Sequence, residues 1–469
     1  MNRIGLRSTM EFSRLAYTRA GNGGVFKRGR REPLMLYCSS HRTLATEEIP
    51  LYLEAGIRIA PLLVDMWTRT VDRGLVDQLC DDWQASVDVP LEVLEQLQTA
   101  NFFGPSEDPD SPAVSRFGGL TPEQMQLLDE HVDAIYVTVY PVAAAALLRW
   151  FKGVVIFRAF GHGLLNSYSK ILRYYGELVA PFGYHANYVW CPLMSSLRWA
   201  EEPAVASNEI MLGHFVSSSR LQARWTGAAS QPYVVETIPR ITKQAHYRGV
   251  YRQYVRSFGS LPLKIVGDNP RDGGPAIQDE RIMGSLSDRE YHEAICAGRL
   301  SIYQGESPFH LHYHPIEFMR MGVPVLFRNT SGFAHEASAV GIGSLENLGM
   351  YTEPAQAVVL AKKLLADAAL AVELSERQRV FSERVFSRAR ALAGAKMLRS
   401  AIATRGQKKF QARIARTLSN TLHSYGCPLS DVLQKSGIRL ANHIRYRYGT
   451  QLPNHIRYRY GHWLSRKLP

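Results

Sequence analysis

Residues 301–327 read SIYQGESPFHLHYHPIEFMRMGVPVLF. A short apolar run enters a polar loop containing Gly305 and Pro308. An apolar-periodic segment then starts at Pro315 and stops at Gly322, and a second apolar run follows. The pattern is strand, loop, helix, strand, with Pro at the helix start and Gly at its end. A helix joining two strands is a crossover connection, so the strands are parallel. The first helical turn leaves backbone N–H groups unpaired and carries the positive end of the helix dipole, which suits a diphosphate. In open parallel sheets, ligands bind beyond the carboxyl ends of the strands, where this loop lies. His314, directly before Pro315, reads as a cap near the phosphates. Glu317 faces back from the first turn, either to accept two hydrogen bonds from a ribose diol or to interact with its own helix N-terminus.

The same rhythm extends outward. LMLYC at 34–38, the loop SSHRTLAT, a helix over 47–56 and IRIAPLLV at 57–64 form one strand–helix–strand unit. AIYVTVY, VAAAALLRWF and GVVIFRAFG form another. A third is read from EIMLGHFVSSS at 209–219, a helix from about Arg220, and PYVVETIP. Beyond Pro239 come a helix over 247–258 and the strand LPLKIV. A helix over 287–298 follows, with Ser287 and Glu290 in capping-box spacing. After the central segment, two helices are expected over 353–370 and 372–400. The pattern predicts an α/β protein of two parallel-sheet domains, 33–235 and 236–400, between arms at 1–32 and 401–469.

Composition supports a folded body. The 469 residues are 46% hydrophobic and 21% charged, which excludes wholesale disorder. Five widely spaced cysteines without a C-x-x-C exclude a disulfide framework and a cysteine zinc site, and fit a reducing compartment. Charge is polarised: residues 1–31 carry +7, residues 397–469 carry +13, and the remainder carries −7. The basic character therefore belongs to the ends and to anionic partners. The first thirty residues have no apolar core of a secretory signal; a transit peptide and a disordered arm both fit them. The longest apolar run, near 135–148, is about 14 residues, short of the ~18–20 that span a bilayer.

The tail repeats NHIRYRYG at 442–449 and 454–461, too few copies for a solenoid and consistent with local duplication. Before it, Phe410, Ile414, Leu418 and Leu422 recur every four residues among Lys and Arg. Such a helix suits an anionic membrane surface. It also suits packing onto the body, and the Arg/Tyr alternation suits stacked nucleic acid.

Several strings together resemble a known family. HPIEFMRMGVPVLF resembles the P-x-E-x-M-x-x-G-x-P-V stretch of GT-B-type nucleotide-sugar glycosyltransferases. PLKIVGDNP, RIMGSLSDREYHEAI, EIMLGHFVSSSRLQARW and FRAFGHG resemble that family's other segments in the expected order, over roughly 33–395. The resemblance implies two Rossmann-type domains facing across a cleft, and transfer of a sugar from a nucleotide-activated donor to a hydroxyl acceptor. It implies no cofactor besides the donor and no metal at the transfer site. Gly284, Ser285 and Glu317 are implied at base and ribose. Arg240, Lys243 and His314 are implied at the phosphates, and His162, flanked by Gly161 and Gly163, at the reacting centre. The chain departs from the family's paired glutamates: Phe309 stands eight residues before Glu317. Glu306 is the nearest acid and takes that place if the loop is three residues longer. Arg240 and Lys243 also stand at unusual spacing. An imidazole or carboxylate must take the acceptor's proton, and His41, Glu47, Glu48 and Asp65 near the first two strand ends are further candidates. Glu47 and Glu48 read more simply as first-turn helix charges.

The implied setting is assembly of a cell-surface glycan such as lipopolysaccharide or capsule. The enzyme would be cytoplasmic and peripheral, held at the inner membrane face near a lipid-linked acceptor. Two rivals stand beside this: an inactive relative that binds nucleic acid or a membrane through its arms, and a nucleotide-sugar hydrolase or epimerase.

Overall fold

The computed structural model describes residues 32–39, 42–63, 93, 96, 120–162, 167–175, 178–217, 221, 223–242, 245–267, 277–342 and 344–405. Lys243, His41, Asp65, the arm 1–31 and the tail from 406 onward lie outside the described residues. The chain divides into two compact units, Met1–Ser400 and Ala401–Pro469. In the second unit only 401–405 are described, and they are helical.

The first unit contains two sheets. In the first half, β1 (Leu34–Ser39), β2 (Arg58–Leu63), β3 (Ala134–Thr138), β4 (Val154–Ala159) and β5 (Tyr188–Pro192) alternate with helices. The helices are α1 (Arg42–Glu54), α2 (Pro122–His131), α3 (Pro141–Leu148), α4 (Tyr168–Tyr174), α5 (Ala180–Tyr184) and α6 (Leu197–Ala200). The strands lie in the order β2-β1-β3-β4-β5, and every pairing is parallel. In the second half come β6 (Gln231–Thr237), β7 (Leu263–Val266), β8 (Ile282–Gly284), β9 (Gly298–Tyr303), β10 (Val325–Arg328) and β11 (Met350–Tyr351). The helices there are α7 (Ala245–Phe258), α8 (Asp288–Ala297), α9 (Tyr313–Met321), α10 (Gly332–Ala339), α11 (Pro354–Ala366) and α12 (Ala368–Val385). The order is β11-β10-β9-β6-β7-β8, again wholly parallel. This is the doubly wound Rossmann order, and its direction reverses between β6 and β9. The first sheet reverses between β1 and β3.

Helices cover both faces of a parallel sheet, so its strands are near-continuous apolar runs. Every residue of β3, β4, β5 and β9 is buried accordingly. Local signals fix several ends. Ser287 and Glu290 form the expected capping box at α8, and Gly322 ends α9 in the left-handed conformation at φ 97°.

The first core holds a buried charged cluster around Glu48. Glu48 on α1 accepts hydrogen bonds from the hydroxyls of Tyr37 and Tyr52, each at 3.2 Å, and from Tyr136. Arg158 Nε on β4 also donates to it at 2.9 Å. Arg158 then donates to the carbonyls of Pro192 at 2.8 Å and Gly213 at 2.9 Å. The Arg158 and Glu48 side chains are 1% and 2% exposed. Removing either partner would strand the other charge and cost about 3–5 kcal/mol.

This geometry corrects three expectations. First, α1 begins at Arg42, so Glu47 and Glu48 are buried mid-helix residues and not first-turn surface charges. Glu47 accepts from Ser217 N at 3.1 Å. Second, the described residues 209–217 do not form a strand: Gly213 turns left-handed at φ 71° and presents its carbonyl to Arg158. The fifth strand is instead YVWCP, and the described residues near 220–230 contain a 3-10 turn at Gly227–Ala229 where a helix was expected. Third, the predicted helix over 372–400 breaks near Phe386, after which 388–400 form a separate helix.

That last helix returns to the first half. Arg388 pairs with Glu54, and Arg399 Nε donates to the Gly56 carbonyl at 3.1 Å. Gly394 sits against the Met211 backbone, with no room for a side chain. The chain therefore passes between the halves twice, before β6 and after α12. Gly227, on the first passage, packs against Val372 of α12.

Candidate functional site

The carboxyl edge of the second sheet opens between β6 and β9. Buried Glu236, near the end of β6, accepts from Ser301 Oγ of β9 at 2.8 Å and from Thr237 N at 3.0 Å. His314 Nε2 stands 2.9 Å from Oε1, the oxygen that also accepts from Thr237 N. The helix after β9 begins at Tyr313, two residues earlier than predicted, so the N-cap is His312 and not His314. Pro315 is still tolerated because the first-turn N–H groups have no intrahelical partner. Among the described residues no side chain caps this terminus.

Glu317 is buried on α9, with the Tyr291 hydroxyl of α8 at 3.5 Å from Oε2. Thr237 Oγ1 lies 3.3 Å from the same hydroxyl. Tyr291 therefore joins the end of β6 to Glu317. Arg240, just past β6, is exposed and adopts a left-handed φ of 55°. Its N–H donates to the Gly267 carbonyl at the end of β7, 2.9 Å away. A left-handed non-glycine residue stores strain that the surroundings must hold, and such residues gather at ligand sites. Among the described residues its side chain makes no ion pair.

Gly284 ends β8 and Ser285 follows it, two strands from β6. Gly284 has φ 80° and open space where a Cβ would project, so the backbone conformation and not packing calls for glycine. Ser285 is exposed. Glu306, past β9 on the other side, is paired with Arg328 at the end of β10 and is half-exposed. Arg328 also donates to the Thr352 carbonyl at 3.2 Å. The structure thus gathers Arg240, His314 and Glu317 around the reversal point and sets Glu306 and the 284–285 pair to either side.

The first sheet's edge meets this loop directly. His162, just past β4, donates its N–H to the Phe309 carbonyl at 2.8 Å and accepts from Ser307 Oγ at 3.3 Å. A side chain on Gly161 would place its Cβ 2.6 Å from His310 Cα and 2.7 Å from the Phe309 oxygen. Ser196 Oγ donates to the Pro308 carbonyl at 2.6 Å. Glu336 on α10 accepts from Ser195 N and Oγ at 2.6 and 2.7 Å.

The His162 ring is 7% exposed, with Nε2 3.3 Å from Glu201 Oε1. Glu201 is anchored on the N-terminus of α4. It accepts from Tyr168 N at 2.9 Å, Ser169 N at 2.7 Å and Ser169 Oγ at 2.5 Å. Tyr168 also packs edge-on against the imidazole at 5.5 Å. A carboxylate fixed by two backbone N–H groups holds one face of the ring in place, the arrangement of an orienting group behind a base.

A row of imidazoles lines the loop. His310 Nε2 and His312 Nε2 are 3.2 Å apart, and Tyr303 Oη is 3.0 Å from His312 Nδ1. His312 and His314 ring centroids are 5.4 Å apart. His312 retains exposed surface while protein surrounds it, as on the wall of a cleft. This surrounding protein, and then the neighbouring His314, His310 and His246, hold its pKa well below the ordinary imidazole range. Desolvation lowers His310 as well, and His162 adds to the effect. Among the described residues no group of three or more His, Cys, Asp or Glu is arranged to hold a metal ion.

Comparison with solved structures identifies the architecture. The chain is similar to HepE from Anabaena in complex with UDP and glucose, at 13% identity, covering 83% of this chain and 100% of that one, with a TM-score of 0.50. The fold is GT-B. The two Rossmann-type sheets described above are its two domains. Further similar GT-B structures are a glycosyltransferase from Rickettsia africae, at 14% identity over 79% of this chain and 98% of that one, TM-score 0.49. Another is a sucrose-phosphate synthase from Thermosynechococcus elongatus, at 14% identity over 80% and 100%, TM-score 0.48. No protein-family model matches the sequence, and comparison with curated proteins finds no match.

The sequence reading passed over Glu201, Glu236 and Tyr291. Glu236 had a signal, a single acid inside the strand PYVVETIP. Glu201 had none, because its partners come from other segments.

Proposed function

We propose that the chain is a glycosyltransferase that moves a sugar from a nucleotide-activated donor to a hydroxyl of an acceptor. The observation that carries this reading is the reversal point between β6 and β9, which opens onto a loop held against His162 of the opposite sheet. The similar HepE structure contains UDP and glucose, and the reading places the corresponding ligands here. Glu317, beside Tyr291, accepts from the ribose. Arg240 and the N-terminus of α9, which no described side chain caps, face the diphosphate, and Gly284 and Ser285 border the base. His162, oriented by Glu201, takes the acceptor's proton. Fixed positive groups around the departing diphosphate lower the barrier because they need no reorganisation as charge develops. Glu306 acts on the donor side through its pairing with Arg328.

The finer setting follows the charge distribution. Two basic ends on an acidic body support work at an anionic inner membrane leaflet on a lipid-linked glycan acceptor. Among the described residues no helix is long and apolar enough to cross a membrane.

A thermal-shift series with UDP, GDP, CMP and ADP tests the reading. A nucleotide at a hundred times its Kd stabilises by about 2.7 kcal/mol. Glu317→Ala should weaken the responding nucleotide roughly 10- to 150-fold, the range for losing a hydrogen bond to a charged group. Unchanged affinity in a folded variant refutes the ribose assignment, and no response to any nucleotide refutes the donor site.

A further inference from the structure

Resting on the donor-site reading above, we propose that His310 and His312 form a proton-coupled subsite for the donor's diphosphate, taking up a proton as the phosphates enter. The two rings stand where a diphosphate would meet the N-terminus of α9, on the loop that touches both halves of the molecule.

The hydrogen bonds around the pair define its unliganded state. His310 Nδ1 lies beside Gly161, whose backbone favours a proton on that nitrogen, while Nε2 turns to His312. His310 Nε2 is then an acceptor, so His312 Nε2 carries the proton between them. His312 Nδ1 is left to accept from the Tyr303 hydroxyl. Burial raises the Tyr303 pKa, so that hydroxyl keeps its proton. Tyr303 to His312 to His310 to Gly161 is thus a directed chain of neutral groups.

A further proton on His310 Nε2 would oppose N–H to N–H across 3.2 Å. An anionic oxygen entering between the rings gives both donors one acceptor, and such charge-assisted bonds are about twice as strong as neutral ones. The groups around the pair bear out the bias. His246 approaches from α7, His314 from α9 with Glu236 behind it, and His162 from the first half with Glu201 behind it. Imidazole neighbours resist added charge until an anion arrives. The depressed pKa values of both rings accord with this.

Calorimetry on the full chain tests it with UDP-glucose, GDP-mannose and ADP-glucose. These are diphosphate diesters, which lack the terminal phosphate proton that titrates near ~6 in free nucleotides. The donor that binds should show a heat that depends on buffer ionisation enthalpy at pH 7.5, reporting uptake of about one proton. Its affinity should rise about tenfold per pH unit on going from pH 8 toward 6. His310→Gln should bind about tenfold more weakly and lose both the buffer dependence and the pH slope. A donor that binds with buffer-independent heat and flat affinity overturns the histidine proposal and leaves the donor site standing. Wild-type proton uptake in a folded His310→Gln protein also overturns it. If no donor binds between pH 5.5 and 8, both readings fail together.

Discussion

Replacing Glu201 with Gln tests how His162 is held. The carboxylate has one oxygen on Ser169 N and Oγ and the other on Tyr168 N, with His162 Nε2 beside it. A glutamine keeps the shape but offers one carbonyl oxygen. If that oxygen serves Ser169, the amide NH2 faces the Tyr168 N–H and the imidazole. One hydrogen bond to a charged group is lost, worth about 1.5–3 kcal/mol, and a buried N–H loses its partner at about 1–3 kcal/mol. These overlap, so a destabilisation of about 2–4 kcal/mol is expected. At roughly 2–4 °C per kcal/mol for domains of this size, Tm should fall by roughly 5–15 °C. Below that Tm, turnover with a responsive donor should drop about 10- to 100-fold. His162→Ala should lower it by about 10²–10⁴, the usual contribution of a positioned acid or base. Differential scanning calorimetry and single-turnover product formation measure the two effects. A Glu201→Gln protein with unchanged Tm and unchanged turnover would refute the anchoring role, and an active His162→Ala protein would refute the base.

Gly161→Ala should lower Tm by an amount corresponding to about 1–3 kcal/mol of overpacking and reduce activity, while far-UV circular dichroism stays unchanged; wild-type stability would show that the loop yields freely. Acid should weaken the fold through His310, His312 and His335, whose folded pKa values are lowered by burial first of all. The unfolded chain takes up protons near ~6.5 where these rings do not, so stability falls as pH drops through that value and levels off once the folded rings titrate. Urea midpoints at pH 7.5 and 5.5 measure this, and a His310→Gln/His312→Gln protein should show a smaller drop. Deleting 402–469 removes thirteen Lys/Arg and Asp431, taking the net charge from +13 to +1. The truncated protein should stay folded but cease to sediment with anionic vesicles, since each surface Lys/Arg contributes about 1 kcal/mol; undiminished sedimentation would move the membrane contact to the N-terminal arm.

The parallel strands were legible because burial on both faces leaves a continuous apolar run, as in GVVIFRAFG and VPVLFRN. Local caps were legible for a different reason, since Ser287 and Glu290 meet within one turn. Residues 209–217 misled because an apolar string can be ordered by a distant partner, here Arg158 reaching the Gly213 carbonyl. Glu47 and Glu48 misled because a helix of mixed pattern hides which face is inside until Tyr37, Tyr136 and Arg158 from three strands, with Tyr52 one turn along the same helix, converge on Glu48. The positions of Glu317, His314 and Arg240 near the carboxyl edge of the second sheet follow from strand and helix ends, although α9 starts two residues before the expected point. Glu201 could not be placed, because what makes it matter is a fold that brings it to His162.

The two passages of chain between the halves bear on how such a molecule can open. A single linker would leave one half free to swing and twist on the other. Two tethers, joined at Gly227 and α12, define a hinge line and leave mainly one rotation about it. The returning helix, clamped by Arg388 and Arg399 onto the first half, keeps the second tether short. Opening about that axis would separate Gly161 from His310 and Ser195 from Glu336, so the mouth of the cleft would part while its back stayed joined. Entry to the cleft would then be gated by a few polar contacts and not by the cores.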